Sequence, residues 1–99
     1  MTVEFHPAAR AELQASTEFY ESRLRGLGRR FLEAVEETTG RIAESPSAGT
    51  LVAPGLRKRL IHGFPFSIMY EVSDERISIL AIAHQHRRPR YWQQRTDRR

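Results

Sequence analysis

The side chains able to do chemistry gather in the second half of the chain. His84 and His86 are imidazoles of the kind that exchange protons near neutrality. Arg87, Arg88, Arg90, Tyr91 and Trp92 follow them, and Arg57, Lys58 and Arg59 stand together further upstream. Such a set offers the grip of an anion, because the planar guanidinium fork binds phosphate or carboxylate bidentately. His6 and His62 fall in expected turns and are assigned no role. There is no cysteine, which rules out a disulfide and a thiolate metal site. No grouping of histidines and carboxylates has ligand spacing, so neither a metal nor another cofactor is expected.

The charge supports an anionic partner once it is divided along the chain. Of 16 basic side chains 15 are arginine, against 12 acids. Residues 1–49 carry a net charge of −2 and residues 50–99 a net charge of +6. That asymmetry points to an acidic or phosphate-bearing partner for the second half. An arginine-rich host would write the same composition without such a partner, and composition leaves both readings open.

These residues need a scaffold, and 99 residues suffice for one domain, expected over 1–95 with a frayed basic tail at 96–99. Val3-Glu4-Phe5 reads as a short strand and Pro7 as the opening of a helix to about Leu24. Ala9, Leu13, Ser16, Tyr20 and Leu24 recur at helical spacing, with Phe19 widening the stripe. Gly26 and Gly28 interrupt it. A second helix, from about Gly28 to Glu44, turns Phe31, Val35, Thr38 and Ile42 one way. Ser47 to Gly55 reads as a loop, after which the period changes to two. Leu56–Ile61, Phe66–Val72 and Arg76–His84 are then strands, the last apolar on both faces and so expected in the middle of the sheet. The fold class is α+β: β-α-α-β-β-β, a helical hairpin on a small, mainly antiparallel four-stranded sheet. A helical turn at Pro89 and a Trp92 packed back on the sheet would close it. The first residues lack the pattern of a signal peptide, and no apolar run approaches a membrane span, so a cytoplasmic protein without membrane contact is expected.

The order of these elements, with particular residues on them, resembles the RelE/ParE family of toxins from type II toxin–antitoxin modules. The resemblance is carried by Ala11-Glu12-Leu13, Phe19-Tyr20-Glu21, Gly26-Leu27-Gly28 with Phe31, Pro46 and Arg57. Phe64-Pro65-Phe66 with Ile68-Met69-Tyr70 continues it. The closing run Ile79 to His84, then Arg87, Pro89, Tyr91-Trp92 and Arg95, is the most specific part.

The resemblance implies a cognate antitoxin whose extended, acidic C-terminal segment wraps the toxin. It also implies one of two targets. RelE-like members are ribosome-dependent mRNA endonucleases that need no metal. In that reading His84 or His86 would be the proton shuttle, Arg87 would stabilise the phosphorane, and Tyr91 would stack on a base or donate a proton. ParE-like members poison DNA gyrase by binding, and Arg57, Lys58, Arg59, Arg88, Arg90 and Trp92 would then be contact surface. The nuclease pattern has an arginine where this chain has Ser67, and the tail order His-Arg-Pro-Trp resembles the ParE side. The gyrase-type binder is therefore the leading expectation and the nuclease the alternative. A non-toxic member that only binds antitoxin is the third reading. Exposed apolar residues of the hairpin, such as Phe19 or Leu32, would seat an antitoxin helix.

Overall fold

The computed structural model describes residues 2–86 and 91–96. Arg87, Arg88 and Arg90, and the turn expected at Pro89, lie outside the described residues. Strand β1 (Thr2–Phe5) runs into helix α1 (Pro7–Arg23), and helix α2 (Leu27–Glu44) returns beside it. His6 is the N-cap of α1: its Nδ1 accepts the Ala8 N–H at 3.0 Å, and Pro7 follows where a missing N–H costs nothing. The Glu21 carboxylate accepts from the Gly26 and Gly28 N–H groups at 3.1 and 3.0 Å, satisfying donors that the start of α2 leaves free. A Cβ at Gly28 would stand 2.7 Å from the Thr17 carbonyl, so the close approach of the two helices requires glycine there.

The sheet has five strands in the order β1-β5-β4-β3-β2, where the sequence reading has four. The additional strand is β2 (Thr50–Ala53), which lies inside the stretch read as a loop and pairs antiparallel with β3 (Leu56–Leu60). Four residues are too few to show a period, and Pro54-Gly55 is the hairpin turn itself. Gly55 has φ +76°, the value that the third position of a type II turn demands after proline. Strands β4 (Phe66–Ser73) and β5 (Arg76–His84) pair through a two-residue connection, and β1 joins β5 in parallel.

Strand β5 is covered on both faces, as its sequence requires, but its alternation contains a break. Tyr70 stands opposite Ile79 and Met69 opposite Ala81, so Leu80 is the extra residue of a β-bulge. The bulge shifts the parity of everything after it. Ile77, Ile79 and then Ile82 join Phe31, Val35, Ile42, Ile68 and Tyr70 in the core beneath the helices. Leu80, Ala81 and Ala83 face the other way, where Trp92, only 5 % exposed, packs on them with Leu56. The helical stripe also ends earlier than its spacing implies: Leu24 caps α1 and is exposed, as is Phe19.

Beyond Ile79, the edge of β5 away from β4 has no strand beside it, because β1 pairs only with Arg76 to Ile79. Two charged side chains occupy that edge. The Glu12 carboxylate accepts the Ile82 N–H at 3.0 Å, and the Arg95 guanidinium donates to the Leu80 carbonyl at 3.1 Å. The two bond each other at 2.9 Å with about five-sixths of each side chain buried, at 16–17 % exposure. Partial burial works against the Arg95 charge, but hydrogen bonding and attraction to Glu12 outweigh it and raise the guanidinium above its already high pKa. Thr96 donates to the buried Glu71 carboxylate at 2.7 Å, so the chain is anchored to the sheet as far as that residue.

At the other end of the sheet the Tyr70 hydroxyl donates to the Pro46 carbonyl at 2.7 Å and accepts the Gly49 N–H at 3.2 Å. A Cβ at Gly49 would collide with that hydroxyl. Gly49→Ala should therefore lower the unfolding free energy by about 1–3 kcal/mol, read from urea denaturation. Phe31→Ala, at a site with no exposure, should cost about 3–5 kcal/mol in the same assay, while Phe19→Ala at 52 % exposure should stay within ~0.5 kcal/mol.

Candidate functional site

The end of β5 carries the imidazoles. His84 stands opposite Phe66 and meets its ring edge-on at 5.0 Å between centroids. The chain turns directly after it, and the His86 N–H donates to His84 Nδ1 at 3.0 Å, which brings the two rings to 5.1 Å. A nitrogen that accepts a hydrogen bond carries no proton, so neutral His84 holds its proton on Nε2. Tyr91 lies nearby in sequence but is committed inward: Arg95 stacks on its ring at 5.0 Å and its hydroxyl is buried. Trp92 is likewise part of the core, so its indole anchors the chain and offers little surface to a partner. Of the expected catalytic set, His84 and His86 are brought together, Tyr91 faces the protein, and Arg87 is not described.

Arg57, at the start of the basic strand, does not converge on this point. Arg57 stands opposite Tyr70, whereas His84 stands opposite Phe66, four residues along β4 and one strand further across the sheet. At ~3.3 Å per residue that is about 13 Å along the strands before the lateral step is added. Arg57 is also occupied, since its Nη1 donates to the Gly49 carbonyl at 2.8 Å and helps to hold the turn before β2. Period two places Arg59 on the Arg57 face and Lys58 on the other. Among the described residues neither Lys58 nor Arg59 has a carboxylate within 4.0 Å. The two side an open hollow of about 340 Å³ with Ala48, Gly49, Thr50 and Leu60, formed where β2 has not begun and β3 still runs. Leu60 is 72 % exposed there. Ser67, where the nuclease pattern has its arginine, is buried on β4.

A second concavity lies on the hairpin. Leu13 of α1, Leu32, Val35 and Thr39 of α2, and Phe5 of β1 line a groove of about 340 Å³, with Arg10 and Glu36 also on its walls. Leu32 was visible in the sequence as a candidate for such a surface. Phe19 is exposed elsewhere on α1, under the Arg23 guanidinium at 4.8 Å, and does not line the groove. The sequence reading did not single out Glu12 and Arg95 as partners. Their only signal was that each stands in a stretch carrying the family resemblance, and 83 residues separate them.

No group of three or more metal-ligating side chains exists among the described residues, and no helix there is long and apolar enough to cross a membrane. A solved structure described as the chromosomal ParDE TA system from P. aeruginosa has the same fold, with a TM-score of 0.62 and 24 % identity over 85 % of this chain and 95 % of that one. No curated protein sequence matches the chain. The family model described as the ParE toxin of the type II toxin-antitoxin system parDE matches residues 3–89. The hairpin, the mixed sheet and the sequence on them agree, and the chain belongs to the ParE toxin family of type II toxin–antitoxin systems.

Proposed function

We propose that this chain is a cytoplasmic toxin that acts by docking on a protein target, DNA gyrase, and that a cognate antitoxin neutralises it. The observation that carries the docking reading is the dispersal of the proton-shuttle candidates and the cations: Tyr91 is turned into the protein, and the cations of β3 stand two strands from His84. Arg57 is tied to the Gly49 carbonyl, His84 has its Nδ1 occupied, and the two stand on opposite sides of β4, against residues four apart. In-line attack by a 2′-hydroxyl needs a base and a cation within hydrogen-bond reach of one phosphate. The contact surface is instead distributed: Lys58 and Arg59 beside the open hollow, His84 and His86 at the strand end, with Arg87, Arg88 and Arg90 following in the sequence.

The antitoxin would use both concavities. An amphipathic helix fits the apolar groove between α1 and α2, and the acidic segment beyond it pairs with Lys58 and Arg59. Lys58→Ala and Arg59→Ala should each weaken antitoxin binding about three- to tenfold, more at low salt than at high, as titration calorimetry would show.

The target is decided by two reactions run side by side. Cell-free translation from purified mRNA should leave the message intact, as mapped by its 5′ ends. Gyrase supercoiling assays with the same preparation should accumulate cleaved DNA. Ribosome-dependent cuts in the message would overturn the docking reading and establish the endonuclease. Inactivity in both reactions, from protein that binds its antitoxin, would leave the antitoxin-binding module.

A further inference from the structure

The segment from Tyr91 to Thr96 is held almost entirely by side chains. Its own backbone forms one short turn, with Arg95 N–H donating to the Trp92 carbonyl at 2.9 Å. Its other contacts are chiefly with the sheet and with Glu12 of α1. Trp92 fills the face behind β5, Thr96 bonds Glu71, and Arg95 bonds both Glu12 and the Leu80 carbonyl. The Glu12 carboxylate that receives Arg95 also receives the N–H of Ile82, two residues before His84. One carboxylate oxygen, Glu12 Oε1, therefore fixes the strand just before it delivers the imidazoles and the chain just after it returns as Tyr91.

A longer β1 would have sealed the same edge with backbone alone. The pair does something that a strand would not, because it makes the position of the returning segment conditional on one ion pair. From this arrangement we infer that Glu12 and Arg95 are positioning residues for target engagement, acting through the placement of His84 and His86. The inference rests on the toxin reading above. Neither residue faces the hollow of Lys58 and Arg59 or the apolar hairpin groove. Loss of the pair therefore affects the action of the toxin and spares the surfaces assigned to its antitoxin.

Trp92 is the sole tryptophan of the chain, which makes its fluorescence a reporter of this segment alone. The comparison is wild type, Arg95→Met, Glu12→Gln and, as a control, Arg41→Gln, which removes only an exposed pair with Glu37. Each is read by Trp92 emission with acrylamide quenching, by far-UV circular dichroism, and by growth arrest on induction. Arg95→Met keeps the apolar stem and removes the charge. It should raise the undocked fraction about tenfold or more, as loss of a charge-assisted partner implies, seen as red-shifted emission and stronger quenching. Its circular dichroism should stay that of wild type while growth arrest is lost. Glu12→Gln keeps a carbonyl oxygen for Ile82 but leaves the Arg95 charge uncompensated, and should fall between wild type and Arg95→Met in both signals. Arg41→Gln should match wild type throughout.

Arg95→Met that still arrests growth with Trp92 released overturns the inference. So does loss of arrest with Trp92 still buried, or with the circular dichroism collapsed, because the role is then not one of positioning. Failure of the toxin reading itself looks different: the wild-type chain does not arrest growth, and Trp92 release in Arg95→Met alone then decides whether the ion pair holds the segment.

Discussion

A β-strand whose neighbour stops too soon exposes backbone donors and acceptors that must find partners or recruit a foreign strand. Strand β5 meets that condition halfway along, where β1 ends at the level of Ile79 and the bulge at Leu80 begins. The solution is a carboxylate from the first helix and a guanidinium from the far end of the chain, each bonded to β5 and to the other. Buried to this degree, each charge is tolerable only because the other is present, so removing either leaves an uncompensated group. Helix α1, the central strand and the returning segment are thereby fastened at one point.

The two faces of the sheet then divide the labour. Beneath the helices lies a closed apolar core with an aromatic cluster of Tyr20, Phe31, Phe64 and Phe66, their centroids 5.0–6.2 Å apart. Behind the sheet a smaller core forms around Trp92, which a domain of this size could not afford to leave in water. Strand β2 keeps its outer edge, shields little of β3, and leaves Leu60 beside two cations that no described carboxylate neutralises. Rigid secondary structure thus presents surface for partners while the core stays sealed.

Much of this was legible in the residues. The stripe of Phe31, Val35, Thr38 and Ile42 and the alternation of Phe66, Ile68 and Tyr70 announce which faces are buried, because burial follows those periods directly. Strand β2 was not legible, since Thr50 to Ala53 spans a single pleat and its turn residues read equally as loop. The bulge escaped for a related reason: Leu80-Ala81-Ile82 is apolar on any register, so nothing in the letters marks where parity changes. The candidate site was legible as a set of residue types and not as an arrangement. Arg57 lies opposite Tyr70 and His84 opposite Phe66, a consequence of strand order and register that local pattern does not contain.

The parallel pairing of β1 with β5 joins Thr2 to Arg76, and the ion pair joins Glu12 to Arg95. Both contacts close loops of most of the chain, whose entropy must be lost before the contacts repay it. During synthesis the helical hairpin can form early from local contacts, but the sheet gains its outer parallel strand only after β5 exists. The ion pair waits longer still, for residue 95 itself. A partly made chain therefore has the helical walls of its groove, though not yet Phe5 of β1, well before it has a finished strand end.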